Sequence, residues 1–378
     1  MTAPIRSVRT RILATDLDDP VVTPNYRIEQ IHNVLVELED DEGLVGAGYL
    51  WCFDRTDADV LAAMVAALAP VVMRATTSDP QDVSEQVRRH INFLGFKGVA
   101  VFALSAVDLA VTDLACRRAG ISLTRAIGQT PAPAPTYWSG LFLTSSTSEL
   151  VREVERAVRS GFTAVKLRVG MPDLDDDVQR IEAVRSALPP DALLMLDAVQ
   201  RWDLDDAIVA ADAFAPYDIV WLEDPLVHTD YAGLRTLVAQ SPVPIATGEN
   251  EYLREGFEQL FDAEVPILLA DLQRVGGVTE WSAVAERAAA SGVQLTSHAY
   301  PQVSARLCAG SPTATWVEYV PWWDHLVDYE LTIENGRITA PDDAGIGLTW
   351  NRDAVEHDAV TDWIAHGIRG EDSSSSFV

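Results

Sequence analysis

Residues 31–49, IHNVLVELEDDEGLVGAGY, place two apolar stretches on either side of an acidic Asp-Glu-Gly turn, a pattern that predicts a β-hairpin. From about 57 to 75, and again from 80 to 118, alanine-rich apolar positions recur at intervals of three and four, which predicts helix. Strands followed by helices describe an α+β unit of its own over residues 1–130. The run TPAPAP at 130–135 breaks that pattern and marks a domain boundary.

Beyond it the chain changes habit. Short apolar runs (PTYWSG, FTAVKLRV, ALLMLDA, IVWLED, VPIATGE, PILLAD, VQLTSH and TWVEY) alternate with helix-like stretches such as 148–160, 174–187 and 277–291. Eight strands separated by crossovers are the layout of a (β/α)8 TIM barrel, so residues 131–345 read as an α/β barrel preceded by the α+β unit. After about 345 the pattern is less regular, and the closing EDSSSSFV reads as a mobile tail.

Several of the barrel strands end on charge. Asp197 closes LLMLD, Glu223 closes IVWLE and Glu249 closes IATGE, and successive members stand 26 residues apart. One βα unit per step puts the three at corresponding heights on the C-terminal rim, where barrel active sites lie. Three converging carboxylates are tolerated when a divalent cation sits among them, and an all-oxygen set with room for water or substrate suits Mg²⁺ better than zinc. Each acid taken singly has a plainer use, as a helix cap or a surface ion-pair partner.

In FTAVKLRVG the alternation of a strand turns Lys166 and Arg168 to the same side, into the barrel, with Val165 and Leu167 against the helices. Asp271 and His298 end successive strands and are expected to be neighbours. A carboxylate beside an imidazole fixes its tautomer and raises its basicity, the make-up of a general base. Glu318, ending TWVEY, points to the same mouth, and if protonated it would donate a hydrogen bond to a developing oxyanion.

Charge and cysteines narrow the setting. Lys plus Arg number 28 against 57 Asp plus Glu, a net charge of -29 that argues against nucleic acid and anionic membranes as partners. Cys52, Cys116 and Cys308 are odd in number and far apart, which favours a reducing cytoplasm over a disulfide framework. The N-terminus has no long apolar stretch after its basic residues, so neither a secretion signal nor a membrane span is read.

Taken together, Lys-x-Arg, Asp197, Glu223 in WLEDP, Glu249 in TGEN, Asp271 before VGG, His298 in TSHAYPQ and Glu318 resemble the enolase superfamily, and within it the mandelate racemase subgroup with its muconate lactonizing enzyme-like members. The resemblance covers nearly the whole chain. It implies a capping domain, a modified (β/α)8 barrel and a C-terminal segment, 346–378, that returns to the cap. It also implies Mg²⁺ on Asp197, Glu223 and Glu249, removal of the proton next to a substrate carboxylate, an enediolate intermediate and assembly as a homo-oligomer. Substrate choice would fall to cap loops at about 16–30 and 49–55, with Tyr26, Arg27, Trp51 and Phe53 as candidates.

The chain departs from the subgroup at one point. Arg168 stands where a second lysine base is usual, and arginine stays protonated at any ordinary pH. With His298 as the one clear base, dehydration of an acid sugar to a 2-keto-3-deoxy acid is expected, Arg168 neutralising an acid group of the substrate. The alternatives are a racemase or epimerase of a 2-hydroxy acid, with Lys166 or Arg168 serving the second face, and a metal-binding barrel that has lost catalysis. The Asp271 and His298 pair argues against the last. A metal-dependent aldolase on the same architecture fits the carboxylate series and the Lys-x-Arg strand poorly.

Overall fold

The computed structural model describes residues 3–22 and 27–368. It opens with an antiparallel meander, β1 (Ile5–Val22), β2 (Arg27–Asp40) and β3 (Val45–Cys52). The predicted hairpin is β2 and β3. β1 escapes the pattern because its register shifts between Ile5 and Ser7 and again between Asp16 and Val21, and each shift breaks the period-two alternation. Residues 16–22 and 27–30, read as part of a loop, are therefore strand.

The helical stretch 80–118 is also corrected. It is two helices, Pro80–Ile91 and Val99–Ala119, parted by a bend at 92–98 whose Phe93, Leu94 and Phe96 keep the apolar count without the helix. Gly95 and Gly98 take positive φ there, which ends the helical run. Helix Val99–Ala119 is long and apolar enough by length and composition to cross a membrane, as is helix Arg55–Arg74, yet most of its apolar window is buried within the protein. It lies directly on β3, and a Cβ at Gly46 would stand 2.1 Å from the Ala110 carbonyl oxygen, so only glycine permits this approach.

Eight parallel strands follow: β4 (Ala134–Leu141), β5 (Ala164–Arg168), β6 (Leu193–Asp197), β7 (Ile219–Glu223), β8 (Ile245–Thr247), β9 (Ile267–Asp271), β10 (Gln294–His298) and β11 (Ala314–Tyr319). β11 pairs back onto β4 and closes the barrel. Inside, Tyr137, Met195, Trp221 and Leu269 are fully buried and form an apolar floor beneath the C-terminal mouth. Pro135 of the proline run lies within β4, which pairs with β13 (Arg337–Thr339), itself paired with β12 (Thr332–Glu334).

Cap and barrel are joined by buried polar contacts. Asp108, in the middle of helix Val99–Ala119, reaches the start of helix Val278–Ser291 and accepts the Thr279 N–H at 3.1 Å. Burial pushes its pKa up to about 7, against the lowering pull of those helix N–H groups. Helix Arg352–Asp358 and β14 (Ile364–Ile368) carry the chain back to the cap, β14 pairing antiparallel with β1. Tyr26 and the EDSSSSFV tail lie outside the described residues.

Candidate active site

Strand register brings the charged ends together. Arg168 is the ladder partner of Asp197, Asp197 of Glu223, and Asp271 of His298, so each pair shares a height on the rim. Lys166 lies one pleat deeper and is 1 % exposed. Its Nζ stands 2.5 Å from Glu223 Oε1, 2.9 Å from Glu318 Oε1 and 3.4 Å from Asp197 Oδ2. Burial alone would strip its proton, but these carboxylates hold its pKa well above the usual lysine range, so it is a cation.

The carboxylates depend on that charge in turn. Burial pushes Glu223 up to about 8, Lys166 pulls it down, and Asp197, Glu318 and Glu249 push it up again. Its second oxygen accepts the Trp221 indole N–H at 3.0 Å. Glu318 accepts from Ser139 Oγ at 2.6 Å and from the Ala299 N–H at 2.8 Å. Although burial would raise its pKa, Lys166, His298 and Arg168 hold it well below the usual carboxylate range. Glu318 therefore sits as an ionised acceptor, and not in the protonated state that donation to an oxyanion would require.

Across the mouth, His298 Nδ1 lies 2.8 Å from Asp271 Oδ2, while Asp271 Oδ1 accepts the Arg274 N–H at 2.8 Å. The acid thus caps its own following helix and fixes the imidazole at once. His298 Nε2 is 3.1 Å from Glu249 Oε2. Burial lowers the imidazole pKa, but Glu249, Glu318 and Asp271 raise it to about 10. Glu249 is the largest raising influence, so withdrawal of its charge from Nε2 returns His298 toward a neutral base.

Among the described residues, no three His, Cys, Asp or Glu side chains close on one point as a finished cation cage. Lys166 and His298 occupy the carboxylates instead. The donor set still fits Mg²⁺: Asp197 and Glu223 are register neighbours, the ligating atoms are all oxygen, and mutual repulsion makes this cluster short of positive charge. Glu249 lies two residues past the end of β8, beyond Gly248, so its place depends on a turn that spacing alone did not reveal.

Of the candidates for substrate contact, Trp51 stands over the dyad with its ring centroid 6.5 Å from that of His298, and Phe53 packs edge-on to Trp51 at 5.3 Å. Arg27 is not brought into this group; it is exposed and paired with Glu29 at 2.8 Å. Arg168 lies over the Phe142 ring at 5.1 Å, and its Nη1 is buried without a hydrogen-bond partner. A cavity of about 1050 Å³ opens beside β4 and β11, and its wall includes Ser139, Phe142 and Trp322.

Some participants were missed in the sequence. Asp224, next to Glu223, is buried at positive φ, bonded by Thr247 Oγ1 and Asn250 Nδ2, and burial pushes its pKa well up. Its position inside WLEDP was the available signal. Ser139, Gln273 and Tyr300 gave none, being neutral groups whose role appears only in three dimensions.

Comparison with known proteins places this geometry in context. Residues 5–128 match the mandelate racemase / muconate lactonizing enzyme N-terminal domain, and residues 149–354 match the enolase C-terminal domain-like model. A 3,6-anhydro-alpha-L-galactonate cycloisomerase of Streptomyces coelicolor is 31% identical over 83% of this chain and 88% of its own length. The L-talarate/galactarate dehydratase of Salmonella typhimurium is 28% identical over 90% of this chain and 87% of its own. Its crystal structure with Mg and L-lyxarohydroxamate superposes with a TM-score of 0.90 at 26% identity, covering 97% of this chain and 95% of that one. An enolase from Bradyrhizobium complexed with magnesium and mandelic acid gives a TM-score of 0.88 at 30% identity, covering 96% of this chain and 99% of the other.

Proposed function

Because the chain belongs to the mandelate racemase / muconate lactonizing enzyme family of the enolase superfamily, we propose that it is a Mg²⁺-dependent lyase that dehydrates an acid sugar to a 2-keto-3-deoxy acid. The observation that carries this reading is the asymmetry of the mouth: one imidazole oriented by Asp271 on one wall, and Lys166 and Arg168 set among carboxylates on the other.

In this reading His298, aimed by Asp271, takes the proton from the carbon next to the substrate carboxylate. The electron pair left there forms the double bond to the adjacent carbon as that carbon's hydroxyl departs, and His298 returns the proton to the leaving oxygen as water. The enol so formed rearranges to the keto acid. Asp197, Glu223 and Glu249 would hold Mg²⁺, which when bound supplies positive charge to the substrate carboxylate as negative charge develops. Lys166 and Arg168 bind and neutralise acidic groups of the substrate. Glu318, an ionised acceptor, keeps Lys166 and the Ala299 amide in place.

Racemisation is not favoured, because it needs a second base facing His298. Arg168 remains protonated at any ordinary pH, and Lys166 Nζ is engaged by Glu223 and Glu318. Relatives named as dehydratases of xylonate, arabinonate and rhamnonate support the same choice. The reading extends to a cytoplasmic homo-oligomer, supported by three unpaired cysteines and by the exposed apolar Phe93, Leu94 and Phe96.

The test is a screen of mono- and diacid sugars with Mg²⁺, trapping keto acid with semicarbazide, wild type beside His298→Asn. Keto acid from wild type and none from the variant is the expected result. Solvent deuterium entering the α-position of a recovered 2-hydroxy acid, with no keto acid from any compound, would overturn the dehydratase reading in favour of racemisation.

A further inference from the structure

β3 is the outer strand of the cap sheet, so the backbone groups along its free edge have no strand to pair with. At Trp51 both are taken by one barrel side chain. The Trp51 N–H donates to Gln273 Oε1 at 3.2 Å, and Gln273 Nε2 donates to the Trp51 carbonyl oxygen at 3.3 Å. A carboxamide offers an acceptor and a donor side by side, the same pair a neighbouring strand residue would present. The Tyr300 hydroxyl adds to the joint, 3.0 Å from Gln273 Oε1 and 3.3 Å from the Tyr49 carbonyl oxygen.

Both barrel residues are buried, Gln273 at 3 % exposure and Tyr300 at 0 %. Each stands two positions beyond a member of the dyad. Gln273 rides on the short helix that Asp271 caps. Tyr300 follows His298 through two left-handed residues, Ala299 and Tyr300, each with φ of 52°. Non-glycine residues adopt that conformation against a steric penalty and keep it where the surroundings impose it. Here it swings Tyr300 beneath the cap, its ring centroid 4.6 Å from Tyr49. Trp51 is packed in turn by Trp322 at 6.0 Å and Trp323 at 5.5 Å.

We infer that Gln273 and Tyr300 are positioning residues that register the cap on the Asp271–His298 dyad, set where Trp51 stands above His298, and so govern which acid the site accepts. The inference rests on the acid-sugar reading only for the compounds used in its kinetic test. Neither residue bonds to the Asp271 or His298 side chain, so their loss is expected to act on substrate fit and not on the proton transfer itself.

The experiment uses the intact enzyme with Gln273→Leu and Tyr300→Phe, the second keeping its ring and packing. Amide hydrogen exchange and steady-state kinetics on a pair of epimeric acid sugars are measured together. In Gln273→Leu the Trp51 amide is expected to exchange about tenfold faster or more, with Val34 to Val36 in the sheet interior unchanged. KM is expected to rise about tenfold with kcat within about threefold, and the preference between epimers to shrink. Tyr300→Phe is expected to move each quantity the same way by less. Unchanged exchange at Trp51, or a fall in kcat with KM and epimer preference intact, would overturn the inference. If wild type converts no acid sugar, the functional reading fails while the exchange measurement still decides the joint.

Discussion

On the wall formed by β5, β6 and β7, Lys166, Asp197 and Glu223 are neutralised mainly by one another, whereas on the wall formed by β9 and β10 the dyad is anchored by a backbone amide. The first arrangement depends on how many positive charges are present, because the buried Glu223 carboxyl is raised by its carboxylate neighbours and lowered by the Lys166 cation. The second depends on direction, since Asp271 is held at one oxygen and holds His298 with the other. One wall is a charge reservoir that a metal or an anionic substrate can re-partition. The other is an aimed group whose value lies in its orientation.

The largest expected effects separate the walls. His298→Asn and Glu223→Gln should each lower kcat by about a thousandfold or more, in line with losing a general base or a metal ligand. Their metal responses should differ. Thermal unfolding with and without Mg²⁺ is expected to show the stabilisation retained in His298→Asn and lost in Glu223→Gln, and equal responses would erase the distinction. Next comes Arg168→Met, which removes a cation with a buried, unpartnered Nη1. It is expected to lower kcat/KM for diacid sugars by about 10- to 100-fold, and for monoacids by less. A uniform loss over both classes would mean that Arg168 serves only Asp197.

The smallest effect tests whether backbone amides suffice for a buried carboxylate. Asp108, like Asp271, is held by the start of a helix, yet its pKa is pushed up to about 7 from 3.8. A carboxyl raised in the folded state contributes stability that is present below about pH 4 and lost as the pH rises through about 7. An asparagine in its place cannot titrate. Asp108→Asn should therefore gain on wild type by about 1–3 kcal/mol between pH 4 and pH 8, read from denaturant unfolding at each pH. A difference that does not vary with pH would show that the amides keep Asp108 ionised throughout.

Legibility in the sequence followed the same division. Lys166, Arg168, Asp197, Glu223, Asp271 and His298 could be found because strand alternation and repeat spacing place charge at the rim. The ionised state of Glu318 could not, since it is set by Lys166, His298 and Arg168, which come from other strands. β1 was hidden by its register shifts, and the bend at 92–98 by apolar residues that mimic a continuing helix. Gln273 and Tyr300 belong to the same group: a neutral side chain announces nothing until a distant strand edge lies against it.

β14 lies beside β1, with Ile368 opposite Ser7 and Ile364 opposite Thr10. The first and last described strands are thus immediate neighbours, the end of β14 beside the start of β1. A short linker from Ile368 to Ile5 would allow circular permutation of residues 5–368, with the opening moved elsewhere.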